Sequence, residues 1–326
     1  MNVAALLRRT AAAIVIPGLA LASLAAPVHA QGTPLRFAYL LTDAVLPILA
    51  AEKAGKFDEA GIDLQLIEVQ GGPAVVAALA SGEVDIGYSA PIPPINARIN
   101  GVDLKMLLAI GYEMEPGTKY VWLTASKASG ITSIADVKGK KISFNANGGL
   151  CELTWRDYLA RAGITWEENE PVVLPFPQQE AALQQGVIDA ACSVNPFYAA
   201  IKQNPEIAPV ELAAGSLADK SRPTLIDVVF STDAYIQSNL ETIKTFARIS
   251  DDMRKALVAD RALLEQTAMD VFGLTAEAVK DYNVPSIDGT LTVRKGDVQH
   301  LLDAMNRAGM LPTPISADDM TVEVEY

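Results

Sequence analysis

Histidine and cysteine are nearly missing from this chain, with two of each in 326 residues. One histidine, His29, falls in an N-terminal segment that reads as removable, which leaves His300 alone in the helical stretch Val298 to Ala308. A transition-metal centre needs three or four His, Cys or carboxylate ligands at set spacings, and a serine nucleophile needs a nearby base. The sequence offers neither, and phosphate-cradling or dinucleotide-binding glycine patterns are absent too. Positive charge is also scarce: 26 Lys and Arg stand against 39 Asp and Glu, a net charge of −13. Removing residues 1–30 takes two Arg and no acid, so the remainder carries −15. Nucleic acid and anionic membrane are poor partners for such a surface. No apolar run is long enough to span a bilayer: the stretch from Ala11 to Ala26 is broken by Pro17-Gly18 and is shorter than the ~20 residues required.

What that stretch does resemble is an export signal. Arg8 and Arg9 precede it, and Val28-His29-Ala30 supplies the small-x-small cleavage pattern, so residues 1–30 are expected to be removed and the mature chain to begin near Gln31. The residues after the Arg pair, Thr10-Ala11-Ala12, favour the general secretory route over the twin-arginine one. No Cys follows the cleavage site to carry a lipid.

The mature part repeats itself. With a constant offset of 104, Val69 to Gly111 matches Val173 to Gly215 at 12 of 43 positions, including Pro73/Pro177, Ala77-Ala78-Leu79/Ala181-Ala182-Leu183, Gly82/Gly186, Asp85/Asp189 and Ser89/Ser193. Pro opens a helix, Ala-Leu faces a core, Gly closes the helix, and an Asp leads a short apolar run that ends in Ser. Two lobes built on one plan explain this, although α/β units share such punctuation in general. Strand-like and helix-like segments alternate: Leu35 to Leu41, Ile62 to Val69, Val84 to Tyr88, Leu104 to Ile110, Lys141 to Asn145 and Ile188 to Ser193 read as strands between helical patterns. Thr224 to Ser231 reads as a last strand returning to the first lobe, and Asp233 to Met310 as largely helical. The expected fold is α/β: two lobes, residues 31–118 with 222–326 and residues 119–221, each a mainly parallel sheet flanked by helices. Two chain crossings, near 112–120 and 218–224, make a hinge.

Ligands of open parallel sheets sit beyond the carboxyl ends of the strands. That rule points to Tyr39, Thr42 and Asp43, to Ser89 and Ala90, to Asn147, Gly148 and Gly149, and to Asn195 and Phe197, with Tyr112 at the mouth. The glycine turn lets backbone approach a ligand, and the helix after it offers unpaired N–H groups to an anion. Asp43, Glu113 and Glu152 could attract an amine, while Lys138-Lys140-Lys141 and Arg156/Arg161 read as solvated faces, so a singly charged or zwitterionic ligand fits better than a phosphate. Gly87-Tyr88-Ser89-Ala90-Pro91 resembles a nucleophile elbow, but its last glycine is Pro91 and it lacks a histidine partner. Cys151 and Cys192 lie at the ends of two strands expected to be neighbours. A disulfide and two small buried thiols both remain open.

Taken in order, Val137-Lys138-Gly139-Lys140-Lys141-Ile142, the glycine turn, Tyr158-Leu159 with Ala162-Gly163-Ile164, Ala182-Leu183-x-x-Gly186-x-x-Asp189 and Asn195-Pro196-Phe197-Tyr198 resemble the periplasmic solute-binding proteins of nitrate, sulfonate and taurine importers. Ala54-Gly55-Lys56-Phe57, Ala60-Gly61-Ile62 and Ala78-Leu79-x-x-Gly82-x-x-Asp85 extend the likeness over nearly all the mature chain. The resemblance implies a type II periplasmic-binding fold, a monomer in the periplasm that hands a small organic anion (a sulfonate, taurine or an aromatic carboxylate) to an ABC permease in the inner membrane. No chemistry, cofactor, metal or membrane insertion is implied. Ser89 and Asn147-Gly148-Gly149 would hold the ligand's polar head, with Asn195 to Phe197 opposite. Asn195 replaces the acid, or tryptophan-acid pair, that many relatives carry there. Other readings are a binder of a thiamine-precursor-like pyrimidine, a sensor module of the same fold, or a periplasmic serine hydrolase using Ser89. One branch of the family makes that pyrimidine enzymatically with a cysteine-rich motif, which this chain lacks.

Overall fold

The computed structural model describes residues 32–114, 117, 119–280, 282–284 and 289–326. The expected export signal, residues 1–30, lies outside the described residues. Gly32–Tyr326 forms one compact unit.

Within that unit the chain builds two five-stranded sheets. The first begins with β1 (Thr33–Tyr39), α1 (Leu46–Lys53), α2 (Lys56–Glu59), β2 (Ile62–Glu68), α3 (Gly72–Ala80), β3 (Ile86–Ser89), α4 (Ile92–Ile99) and β4 (Leu104–Glu113). The second comprises β5 (Val121–Ala125), β6 (Lys141–Phe144), α5 (Leu150–Arg161), β7 (Glu170–Val173), α6 (Phe176–Gln184), β8 (Ala190–Val194), α7 (Phe197–Gln203) and β9 (Val210–Ala214). The chain then returns to the first sheet with β10 (Thr224–Thr232), followed by α8 (Asp233–Ser238), α9 (Leu240–Ala259), α10 (Arg261–Phe272), α11 (Lys295–Arg307) and α12 (Ala317–Met320). Strand orders are β2-β1-β3-β10-β4 and β7-β6-β8-β5-β9. One strand in each sheet, β10 or β5, runs antiparallel to both its neighbours, and the other four share a direction. In each case the reversed strand is the one that follows a crossing between sheets.

The sequence repeat is a repeat of roles. Pro73 and Pro177 sit in the first turns of α3 and α6, where a missing N–H costs nothing. Gly82 and Gly186 adopt positive φ, 74° and 68°, just past the ends of those helices. Asp85 accepts from the Arg36 N–H at 2.8 Å, and Asp189 accepts from the Lys141 N–H at 2.8 Å, so each acid fastens the start of its strand, β3 or β8, to the sheet neighbour, β1 or β6. One extended core packs on the first sheet around Phe37, Phe57, Phe230 and Phe246, and a separate one packs on the second around Trp155, Phe144 and Leu123.

The helical stretch from Leu46 to Glu59 is two helices, α1 and α2, because Gly55, at φ 70°, breaks it. Glu113 does not face a ligand. It is buried at the end of β4, where its carboxylate accepts from the N–H groups of Tyr120 (2.9 Å) and Val121 (3.1 Å) and from the N–H and hydroxyl of Ser216 (both 2.5 Å). Those partners lie at the start of β5 and just after β9, so one carboxylate ties the end of β4 in the first sheet to both ends of the segment that forms the second. Glu152, the third acid thought able to attract an amine, accepts from the Gly148 N–H and pairs with Arg156.

Candidate functional site

The carboxyl ends of both sheets face one cavity of about 50 Å³, the space of a few water molecules. The first sheet contributes Leu40, Thr42, Gly72, Tyr88, Ser89, Ala90, Pro93 and Asp227. The second contributes Asn145, Gly149, Leu150, Cys151, Phe176 and Val194. The two sides touch around it: the Asp43 N–H donates to the Asn195 carbonyl at 3.2 Å, and the Asn96 amide donates to the Gly148 carbonyl at 3.4 Å. The lobes are closed on the cavity. Gly72 is required at its edge, since a Cβ there would meet Pro93 Cγ at 2.4 Å and Ser89 Cβ at 3.1 Å.

Helix starts surround the cavity, but they differ as donors. Pro73 in α3, Pro93 and Pro94 in α4, and Pro177 in α6 remove N–H groups from the first turns. The start of α5 holds no proline, and no side chain caps it. Gly149, Leu150 and Cys151 therefore present consecutive N–H groups at the positive end of a twelve-residue helix that borders the cavity.

The opposite wall is acidic. Asp227 accepts a 2.6 Å hydrogen bond from the Tyr88 hydroxyl, which also contacts Thr42 Oγ1. Burial pushes the Asp227 carboxyl up to about 7, against the lowering effect of the Tyr88 bond and with a further push from Glu113. Gly111 makes room for it: a Cβ there would stand 2.5 Å from Asp227 Oδ2. Asp43 is buried nearby with Oδ2 unpartnered, and burial together with the Asp227 charge holds its carboxyl well above the usual range. Among the described residues, no Lys or Arg lines the cavity.

The structure brings together Thr42, Ser89, Ala90 and Gly149 of the residues picked from sequence. Ser89 donates to the Ala90 carbonyl at 2.7 Å, and among the described residues no histidine lines the cavity to activate it. The others lie elsewhere. Tyr39 stacks on Phe37 within the core. The Tyr112 hydroxyl donates to Asp297 beneath Arg294. Asn147 is exposed and Gly148 is one residue outside the lining. Asn195 faces a separate cavity with Trp122 and Tyr198, while Phe197 borders a small neighbouring one and stacks on Phe176. Cys151 and Cys192 are joined in a disulfide, with Cα atoms 5.6 Å apart. Sequence reading missed Asp227, Phe176, Gly72, Tyr88, Pro93 and Leu150. Asp227 left a signal, as the single charge in the apolar run Thr224 to Ser231.

A profile of the NMT1/THI5-like family matches residues 43–260. The chain belongs to that family. A protein of Escherichia coli (strain K12) named for binding aliphatic sulfonates is 34% identical over 134 residues, 41% of this chain and 40% of that protein, so the match spans well under two thirds of that relative. A Brucella abortus (strain 2308) protein named as a binding protein is 26% identical over 92% of this chain and 94% of its own length. The 4-amino-5-hydroxymethyl-2-methylpyrimidine phosphate synthase of Schizosaccharomyces pombe is 31% identical over 37% of this chain and 33% of that protein. Among solved structures, the alkanesulfonate-binding protein of Xanthomonas axonopodis pv. citri bound to MOPS superposes with a TM-score of 0.76 at 21% identity, covering 90% of this chain and 99% of that one. The periplasmic nitrate-binding protein of Synechocystis superposes with a TM-score of 0.73 at 13% identity, over 89% of this chain and 86% of that one. These two show the shared two-lobed fold.

Proposed function

We propose that this protein is the extracytoplasmic substrate-binding component of an ABC importer, and that its lobes, residues 31–118 with 222–326 and residues 119–221, close on a small amphoteric sulfonate or carboxylate without altering it. The ligand's anionic head takes the N–H groups at the start of α5 and the Ser89 hydroxyl, and its nitrogen donates to Asp227. Export by residues 1–30, a monomer in the periplasm and delivery to an inner-membrane permease belong to the same proposal.

The observation that carries it is the polarity of the cavity: a proline-free helix start on one side and a buried acid on the other, with no basic side chain between them among the described residues. A ligand with only negative charge meets Asp227 without a counter-charge and is bound only with that carboxyl protonated, at the cost of the ion pair it could form. An amino group at the far end of the ligand removes that cost. The named sulfonate binders among the relatives support the head-group half of the reading, and MOPS, held by the Xanthomonas protein, carries both a sulfonate and a basic nitrogen. Phe176, whose side chain borders the cavity, favours an aminopyrimidine as the second reading, since a flat ring with an exocyclic amine would use it together with Asp227.

Thermal unfolding of protein stripped of bound molecules, against taurine, ethanesulfonate, MOPS, 2-aminobenzoate and an aminopyrimidine, tests this directly. Saturation at 100 times the dissociation constant adds about 2.7 kcal/mol and moves Tm by several degrees. Taurine is expected to shift Tm most, because the closed cavity is small. Flat curves for every member would remove the proposal.

A further inference from the structure

The disulfide borders the cavity. Cys151 is the second residue of α5 and lines it, while Cys192 lies on β8 two residues before Val194, which lines it too. Both are buried, at 2% and 0% exposure.

The first lobe has a counterpart. By the 104-residue repeat Cys192 corresponds to Tyr88, and the helix after β6 corresponds to the helix after β1. Tyr88 reaches Thr42, in the segment between β1 and α1, by a hydrogen bond, and Cys192 reaches the start of α5 by a covalent bond. Each lobe thus ties the same strand position to the segment that begins its first helix, and both ties form cavity wall. Other contacts also hold α5: further along, the Trp155 indole N–H donates to the Ser143 carbonyl at 2.9 Å, and in the first turn Glu152 accepts from the N–H of Gly148, in the preceding glycine turn, at 2.7 Å. With no side chain capping α5, its first turn is fastened to β8 by the bridge.

We infer that the Cys151–Cys192 bridge is a positioning element of the ligand site, holding the N–H donors of α5 in place, so that opening it weakens ligand binding beyond any loss of fold stability. This rests on the reading that the ligand's head sits at α5. A dithiol opens the bridge by ordinary exchange: one thiolate attacks a sulfur, the S–S bond breaks, and the second thiolate releases the mixed disulfide. Two cysteine thiols form and the dithiol becomes a disulfide, a two-electron reduction of the protein. Ligand affinity then follows the oxidation state of the protein.

The test compares wild type, the double variant C151A/C192A, and wild type reduced with dithiothreitol. A control is Leu257→Ala, which loosens a separate cluster with Leu46 and Leu264. Taurine affinity by calorimetry, Tm, and hydrogen exchange of the Gly149 to Leu153 amides are measured on each. The double variant and the reduced protein are expected to bind taurine at least tenfold more weakly and to exchange those amides faster, while Leu257→Ala loses Tm but keeps its affinity. Affinity within twofold of wild type, unchanged exchange at the start of α5, or the same affinity loss in Leu257→Ala would overturn the inference. If wild type binds no taurine but the amides still loosen on reduction, the head-group reading fails while the tie itself stands.

Discussion

Ser89 and Ser193 hold matching positions near the ends of β3 and β8, yet one opens into the cavity and the other does not. The cause is a single neighbour. Where α6 carries Gln179, α3 carries Val75 at the matching position. Gln179 is fully buried, donates to the Leu174 carbonyl and accepts from the Ser193 hydroxyl at 2.6 Å. Val75 accepts nothing, so the Ser89 hydroxyl turns to its own neighbour's carbonyl at the cavity edge. The reversed strands diverge in the same way. Val228 pairs with Ser89 and Trp122 pairs with Ser193, which makes Asp227 the counterpart of Val121. The helices after β1 and β6 complete the contrast: α1 carries Pro47 in its first turn and α5 carries no proline there. In the proposed site one lobe would supply the acid and the other the backbone donors, so its two poles fall on matching parts of one plan.

The largest expected effect comes from cutting the joint that holds the copies together. Glu113→Ala leaves four donors without their acceptor and should cost roughly 3 kcal/mol or more in urea unfolding. A loss under 1 kcal/mol would show that the crossings are held by other contacts.

Asp227 comes next. Its folded-state pKa of about 7 lies above its ordinary 3.8, so between these values the folded protein keeps a proton that the unfolded chain has released. That contribution to stability is complete below about pH 4, declines as pH rises towards 7, and is gone above it. Asp227→Asn should flatten this window and raise stability at pH 8 by about 1–3 kcal/mol, less than the whole gap between the two pKa values would give, because part of the group meets the cavity. Unfolding curves at pH 4, 6 and 8 check it, and identical pH slopes in both proteins would contradict it.

The two serines give the smaller effects and the sharpest contrast. A double-mutant cycle on Gln179→Val and Ser193→Ala should return a coupling of about 1 kcal/mol, typical of a buried hydrogen bond. Ser89→Ala should change stability by under about 0.5 kcal/mol yet weaken ligand binding roughly tenfold, the worth of one lost hydrogen bond. Equal stability costs at both positions would erase the distinction between the lobes.

Much of the architecture was legible because proline and glycine punctuate it. The repeat, the strand and helix order and the α5 turn all follow from local signals such as Pro73, Gly82 and Gly163. The site was legible only on the side that local signals mark. Thr42, Ser89 and Gly149 end strands or begin helices, where a rule about strand ends finds them. Asp227 reaches the cavity on a strand that returns more than a hundred residues later and runs the opposite way, so no local pattern places it there. Tyr39 and Tyr112 looked like ligand covers, but Phe37 and Asp297, distant or on the same strand, claim their rings and hydroxyl for the interior. The cis Asn195-Pro196 turn, expected opposite the ligand head, instead meets Asp43 through its backbone and directs Asn195 to another cavity.

The most direct test of the two-pole site is calorimetry of taurine against ethanesulfonate near pH 7, in two buffers of different ionisation enthalpy. The pair differs in the amino group that Asp227 is assigned to receive. The account predicts that taurine binds at least tenfold more tightly and releases protons, as its ammonium drives Asp227 to ionise, and that Asp227→Asn removes both effects. Equal affinities with no proton release, or a preference for ethanesulfonate, would contradict it.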